Sequence, residues 1–147
     1  HVSYWPVAFL ACRCGGEMKE STLYEGKITN AETILKPWGW EKIWAYSDNY
    51  MGKILHINPG HRLSLQYHEI KDETIHVLSG VLLLYMNKSQ IEHTLSAGMS
   101  VRIHSNTIHR FEAPPGGEPV VLLEACTPEL DDVIRVEDDY NRVDAAK

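Results

Sequence analysis

Cysteine is scarce in this chain: Cys12, Cys14 and Cys126 are the only three among 147 residues. So sparse and odd a set cannot build the disulfide framework of a small secreted domain, and a reducing cytoplasm is the expected compartment. Cys12 and Cys14 lack the second Cys or His pair of a zinc-knuckle spacing, which argues against a structural zinc there. Long apolar runs are missing as well. The longest near the start, residues 4–12, is interrupted by Pro6 and is far shorter than the roughly 20 residues of a membrane span, so no membrane partner is expected. Basic residues are outnumbered, 14 Lys plus Arg against 20 Asp plus Glu for a net charge of -6. That balance removes any general attraction for nucleic acid or anionic lipid, and an anionic small molecule would need a local basic group. The opening His1-Val2-Ser3 has none of the basic character of a signal peptide. Residues 1–17, ahead of Met18 and the polar run Lys19-Glu20-Ser21-Thr22, therefore read as a non-native or disordered leader, and residues 18–147 as one domain.

What is present is an ordinary globular composition, 44% hydrophobic and 23% charged. Residues 19–35 are polar and alternate poorly, as an arm or a short edge segment would. From Trp40 to Leu123 short β-prone runs are divided by turn signals such as Ser47-Asp48-Asn49, Asn58-Pro59-Gly60, Ser79-Gly80, Ala97-Gly98 and Pro114-Pro115-Gly116-Gly117. The spacing predicts strands over 53–57, 62–68, 74–78, 81–86, 91–95, 101–104, 108–113 and 120–124. No segment with helical periodicity competes with them, so the fold class is all-β, a sandwich or barrel. The tail, residues 127–147, is rich in acid around Val133, Ile134 and Val136, and reads as a solvated charged arm.

Within 62–68, residues two apart share a face, which places Arg62, Ser64, Gln66 and His68 on one row and Leu63, Leu65 and Tyr67 on the other. The polar row faces either solvent or an internal cavity. Glu73 shares its parity with Ile75 and Val77, company that fits a pocket rim or a metal ligand better than solvent, because a buried carboxylate needs a partner.

The spacing then becomes specific. Gly60, Gln66, His68, Glu73 and Gly80 resemble the first cupin motif, G-x5-H-x-H-x4-E-x6-G, with Gln for the first His. Gly98, His104-Ser105-Asn106 and His109 resemble a second motif, G-x5-P-x-G-x2-H, without its Pro and Gly. Lys36-Pro37-Trp38-Gly39, the run from Pro59 to Gln66, His109-Arg110 and the tail from Asp131 to Arg142 are similar to the type II mannose-6-phosphate isomerase cupins, a domain also found at the C-terminal end of bifunctional isomerase/GDP-mannose pyrophosphorylases. The resemblance implies a cupin jelly-roll β-barrel with N- and C-terminal arms. It also implies one divalent metal ion on Gln66, His68, Glu73 and His109, zinc first, with manganese, iron or nickel as alternatives suited to mixed nitrogen and oxygen ligands. The activity it implies is aldose–ketose isomerisation of a hexose phosphate. Glu69-Ile70-Lys71-Asp72 departs from the family's His- and Arg-rich stretch, as do Thr74 after Glu73 and Glu124-Ala125-Cys126, and these differences bear on the substrate more than on the metal.

Catalytic candidates for proton transfer are Glu73 and Glu124. Substrate-binding candidates are Arg62, whose fork suits a phosphate, Ser64 on the same row, Lys71 and Arg110, with Lys53 and Arg142 weaker. The bland readings are a guanidinium paired with an acid for Arg62, structural hydrogen bonding for His56, His61, His76, His93 and His104, core or interface packing for Trp38, Trp40 and Trp44, and a buried small hydrophobe for Cys126. The expected partner is a small sugar phosphate, and a homodimer would bury exposed sheet edges. Two other classes fit the same cup: a different metal-cupin enzyme, oxygenase or lyase, and a noncatalytic sugar-binding cupin.

Overall fold

The computed structural model of the chain describes residues 30–87 and 91–142, so the expectation for the leader, 1–17, lies outside the described residues. Among the described residues the chain forms eleven strands, and no helix is long and apolar enough to cross a membrane. The strands are β1 (Thr33–Lys36), β2 (Gly39–Tyr46), β3 (Met51–Ile57), β4 (Leu65–Tyr67), β5 (Glu73–Ser79), β6 (Val81–Met86), β7 (Ile91–Ser96), β8 (Ser100–Ile103), β9 (His109–Glu112), β10 (Val120–Cys126) and β11 (Ile134–Glu137). They make two antiparallel sheets, ordered β1-β2-β3-β10-β5-β8 and β11-β4-β9-β6-β7. This is the cupin jelly roll.

Period-two patterning explains the layering. On β5 the residues Glu73, Ile75 and Val77 are buried while Thr74, His76 and Leu78 are not, and on β10 the residues Val120, Leu122, Glu124 and Cys126 alternate with less buried neighbours. The inward rows pack with Leu55, Ile57, Leu82, Leu84, Ile103 and Phe111 into one core between the sheets. That apolar half closes one end of the sandwich, and the polar half opens into a cup.

Two glycines fix the frame. Gly80, in the β5–β6 turn, has φ +78, and a Cβ there would stand 2.5 Å from the Pro119 carbonyl oxygen. Gly39, which ends the β1–β2 turn at φ +150, would place a Cβ 1.9 Å from the His56 oxygen. It therefore lets Trp38 turn under β3, where its carbonyl accepts the Asn58 N–H at 2.9 Å and its side chain joins the core.

The structure corrects two expectations. The strand over 62–68 is interrupted: β4 is only Leu65–Tyr67, and Arg62 makes an isolated bridge to Glu112. Between the pairs Arg62↔Glu112 and Gln66↔His109 one chain advances four residues and the other three, so the irregular stretch holds one extra residue. An extra residue reverses the parity and turns Arg62 away from the face that carries Gln66. The tail is not a solvated arm. Residues Ile134–Glu137 form β11 on the free edge of β4, and Tyr140 Oη donates to the Arg62 carbonyl at 3.1 Å.

Candidate metal centre

Three buried side chains from three elements converge in the cup. His68 follows β4, Glu73 opens β5 on the opposite sheet, and His109 opens β9 beside β4. Their ligand atoms all lie within 4.8 Å of one another, a cluster that could hold a metal ion. His109 Nε2 is 3.0 Å from Glu73 Oε1, and His68 Nε2 is 3.5 Å from Glu73 Oε2.

The orientation of both rings is set from behind. His109 Nδ1 donates to the Thr107 carbonyl at 2.9 Å, and His68 Nδ1 donates to the Asp132 carbonyl. A neutral imidazole whose Nδ1 carries the proton keeps its lone pair on Nε2, the arrangement typical of metal-binding histidines. Both Nε2 atoms and Glu73 Oε1 are buried with no hydrogen-bond partner, a state that costs free energy unless a cation takes the lone pairs. The donor set thus fits a divalent metal, with Gln66 lining the same cavity and its Oε1 accepting from Ser64 Oγ at 2.6 Å.

Lys71 completes the centre. Its buried ammonium lies 2.6 Å from Glu73 Oε2 and 2.7 Å from Glu124 Oε1. Burial opposes the charge, but Glu124 and Glu73 outweigh it and raise the lysine above its usual range. Burial likewise pushes the Glu73 carboxyl up, while the Lys71 ammonium 2.6 Å from Oε2 draws it down, and the net direction is below the usual carboxylate range. Glu73 is therefore an ionised carboxylate, with Oε2 held by Lys71 and facing His68, and Oε1 turned to His109.

The loop that carries Lys71 is held by the tail. Asp132 accepts backbone N–H groups from Glu69 at 3.0 Å, Ile70 at 2.7 Å and Lys71 at 2.8 Å. Burial raises the Asp132 carboxyl, and the three N–H donors outweigh it and keep the group below its ordinary value.

The cup is a cavity of about 360 Å³, within the range of about 300–1,000 Å³ usual for small-molecule sites. Gln66, His68, Lys71, Glu73 and Glu124 line it. Arg62, Ser64 and Arg110 do not. Arg62 forms a fork with Asp139, Nε to Oδ2 at 2.6 Å and a second nitrogen to Oδ1 at 3.1 Å, on the outer side of the interrupted strand. Ser64 is buried against Gln66. Arg110 reaches the Leu63 carbonyl at 3.1 Å and the Glu137 carbonyl at 3.3 Å, tying β11 to β9. Lining residues that spacing alone did not single out include Lys36, Glu41 and Arg135. The signal for Glu41 was its acidic side chain between Trp40 and Ile43, with the inward parity of β2 set only once Gly39 is placed.

Residues 25–138 match the family described as Mannose-6-phosphate isomerase C-terminal. The chain belongs to this family. Mannose-1-phosphate guanylyltransferase RfbM of Salmonella typhimurium is similar to this cupin, 30% identical over 109 residues, 72% of this chain and 22% of that protein. The chain spans less than a quarter of the length of the curated relatives it matches. Among solved structures, a conserved protein with a double-stranded β-helix domain from Klebsiella pneumoniae subsp. pneumoniae superposes with a TM-score of 0.59 at 18% identity, covering 76% of this chain and 90% of that one. The polyketide cyclase RemF from Streptomyces resistomycificus superposes at 0.64 and 18% identity, covering 77% and 86%. These likenesses confirm the cupin fold of the family member, and a fold shared so widely does not by itself select a chemistry.

Proposed function

We propose that this cupin is a metal-dependent isomerase that interconverts the aldose and ketose forms of a hexose phosphate such as mannose 6-phosphate. The observation that carries the reading is the convergence of two unpartnered imidazole nitrogens with an ionised carboxylate, beside a lysine bridging two carboxylates, at the cavity of a mannose-6-phosphate isomerase family domain that His68, Lys71, Glu73 and Glu124 line. His68, His109 and Glu73 would hold a divalent ion, zinc first by its preference for such donors, with Gln66 as a fourth ligand. A bound ion supplies a Lewis acid at the sugar carbonyl.

The chain's own groups account for proton transfer. Glu124 lines the cavity and can take the proton from the second carbon, while Lys71, 2.7 Å away, fixes the carboxylate and offers its ammonium to the oxygen on which negative charge develops. The proton returns to the first carbon and the hydroxyl proton passes from one oxygen to the other, so the exchange consumes nothing. Glu73 remains tied to Lys71 and the histidines, which makes Glu124 the better base of the two.

The test is solvent exchange of the proton on the second carbon of mannose 6-phosphate by metal-loaded protein. Exchange and turnover are expected in the wild type, with His109→Ala losing both together with its metal. Metal-loaded protein that binds an unphosphorylated ligand, consumes oxygen or eliminates a leaving group, without exchange on any hexose phosphate, overturns the proposal.

A further inference from the structure

Four of the basic side chains around the cup are already spent. Lys71 is held by Glu73 and Glu124, and Arg142 by a fork to Asp138 at 2.7 to 3.3 Å. Arg62 and Arg110 sit outside the lining on Asp139 and the β11 backbone. Lys36 and Lys53 are different. Both line the cavity and share a single carboxylate: Lys36 Nζ is 3.2 Å from Glu41 Oε1, and Lys53 Nζ is 3.9 Å from Glu41 Oε2, outside hydrogen-bonding distance. Among the described residues Lys53 has no nearer carboxylate.

These are not solvated surface lysines. The side chains of Lys53 and Glu41 are 13% and 12% exposed and that of Lys36 is 31% exposed. Burial pushes the Glu41 carboxyl up, yet Lys53 and Lys36 reverse this and lower it, so both cations act on the same spot. Two positive charges facing one negative charge in a partly closed space leave a surplus that favours an anion.

The location matters as much as the charge. Lys53 is the register partner of Glu124, which Lys71 connects to Glu73. Strands β3 and β5 are separated by one strand, β10, so the backbones of Lys53 and Glu73 lie two strand spacings apart across the sheet, about 10 Å, and two residues apart along it. That separation suits a sugar whose charged group lies at the end of the chain remote from its carbonyl.

We infer that Lys36 and Lys53, poised around Glu41, form the subsite that receives the phosphate of a phosphorylated sugar, with its carbonyl end directed to His68, Glu73 and His109. This rests on the sugar-phosphate reading of the same cavity. Glu41 restrains the subsite: it holds the ammonium groups in place and competes with the incoming anion.

Calorimetric titration of the full, metal-loaded chain tests the subsite with inorganic phosphate, mannose 6-phosphate and mannose. Lys53→Met and Lys36→Gln are each expected to weaken both phosphate-bearing ligands by about tenfold, the loss of one charge-assisted contact, with metal content and mannose binding unchanged. Glu41→Gln is expected to act in the opposite direction and tighten inorganic phosphate several-fold, a gain that a merely structural role for Glu41 would not produce. Lys36 is the most exposed of the three, so Lys36→Gln carries the test if Lys53→Met does not fold. Unchanged phosphate affinity in the folded lysine variants, no tightening in Glu41→Gln, or no phosphate binding by the wild type would each overturn the subsite. Turnover of a hexose phosphate with KM unaltered in the lysine variants would remove the subsite and leave the isomerase standing. The expected affinity pattern without proton exchange would do the reverse.

Discussion

Asp132 shows how far a single side chain outside the cup reaches into it. Its carboxylate gathers three successive N–H groups of the Glu69–Lys71 turn, while its carbonyl accepts from His68 Nδ1. One residue thus fixes the ring of His68, a candidate metal ligand, and the backbone that delivers Lys71. Asp132→Ala is expected to lower metal affinity by about ten- to a hundredfold, as loss of groups that orient ligands does. Asp132→Asn, with one neutral acceptor for the charge-assisted bonds, should recover part of it. Isothermal metal titration measures both, and wild-type affinity in Asp132→Ala would show that the turn holds its shape unaided. Residue identity made the buried cluster legible, because His68, Glu73 and His109 stand at motif spacing and their types alone could suit a metal. Lys71 was legible only as a charge near the site. That it turns inward between two carboxylates depends on the Asp132 clamp, an interaction across 61 residues that no local pattern reports.

At the level of elements, parity was the tool that both worked and failed. It placed Glu73 with Ile75 and Val77 correctly, because β5 runs unbroken from Glu73 to Ser79. It misplaced Arg62, because the extra residue between Arg62 and Gln66 reverses the face, and nothing in the sequence from Arg62 to Gln66 marks an irregularity. Strand β11 was hidden for another reason. Its Ile134 and Val136 alternate with Arg135 and Glu137, but the acidic surroundings read as solvated until the basic partners on other elements are known. Those partners make attachment of the tail dependent on pH. The Arg142 guanidinium holds the Asp138 carboxyl below its usual 3.8, and the Arg62 guanidinium does the same for Asp139. A carboxyl depressed in the folded state contributes stability above its unfolded value, and that contribution is lost as pH falls through the folded value. Amide exchange in β11, corrected for intrinsic rates, should stay protected from neutral pH to about pH 5 and lose protection below about pH 4. The effect is expected to be modest, because both pairs are partly solvated. Asp139→Asn should weaken protection already at neutral pH, and an exchange pattern independent of both acid and this substitution would assign the attachment to Arg110 and Tyr140 instead.

At the scale of the whole molecule, the candidate ligands belong to both sheets. His109 and the residue after β4, His68, come from the five-stranded sheet, whereas Glu73 comes from the six-stranded one. A cation held by all three would therefore join the sheets at the open end of the sandwich, where the core residues Leu55, Leu63 and Phe111 give way to the polar lining of the cup. Its absence would leave buried acceptors opposed across that seam, His109 Nε2 and Glu73 Oε1 at 3.0 Å. An ion that binds the folded chain and not the unfolded one stabilises it by about 2.7 kcal/mol at a free concentration one hundred times its Kd. For a chain of this size that corresponds to a rise in Tm on the order of 10 °C. Chelation should reverse the rise while leaving the far-ultraviolet β signature intact at room temperature, because the apolar half of the sandwich is complete without the metal. The increment should shrink in mild acid, where protons compete for the imidazole nitrogens. His68→Ala should abolish most of the metal-dependent increment while retaining a cooperative transition of its own. A Tm indifferent to metal and chelator in the wild type would mean that the Glu69–Lys71 turn and its Asp132 clamp hold this end together without an ion, and the metal centre would then have no role in holding the cup together.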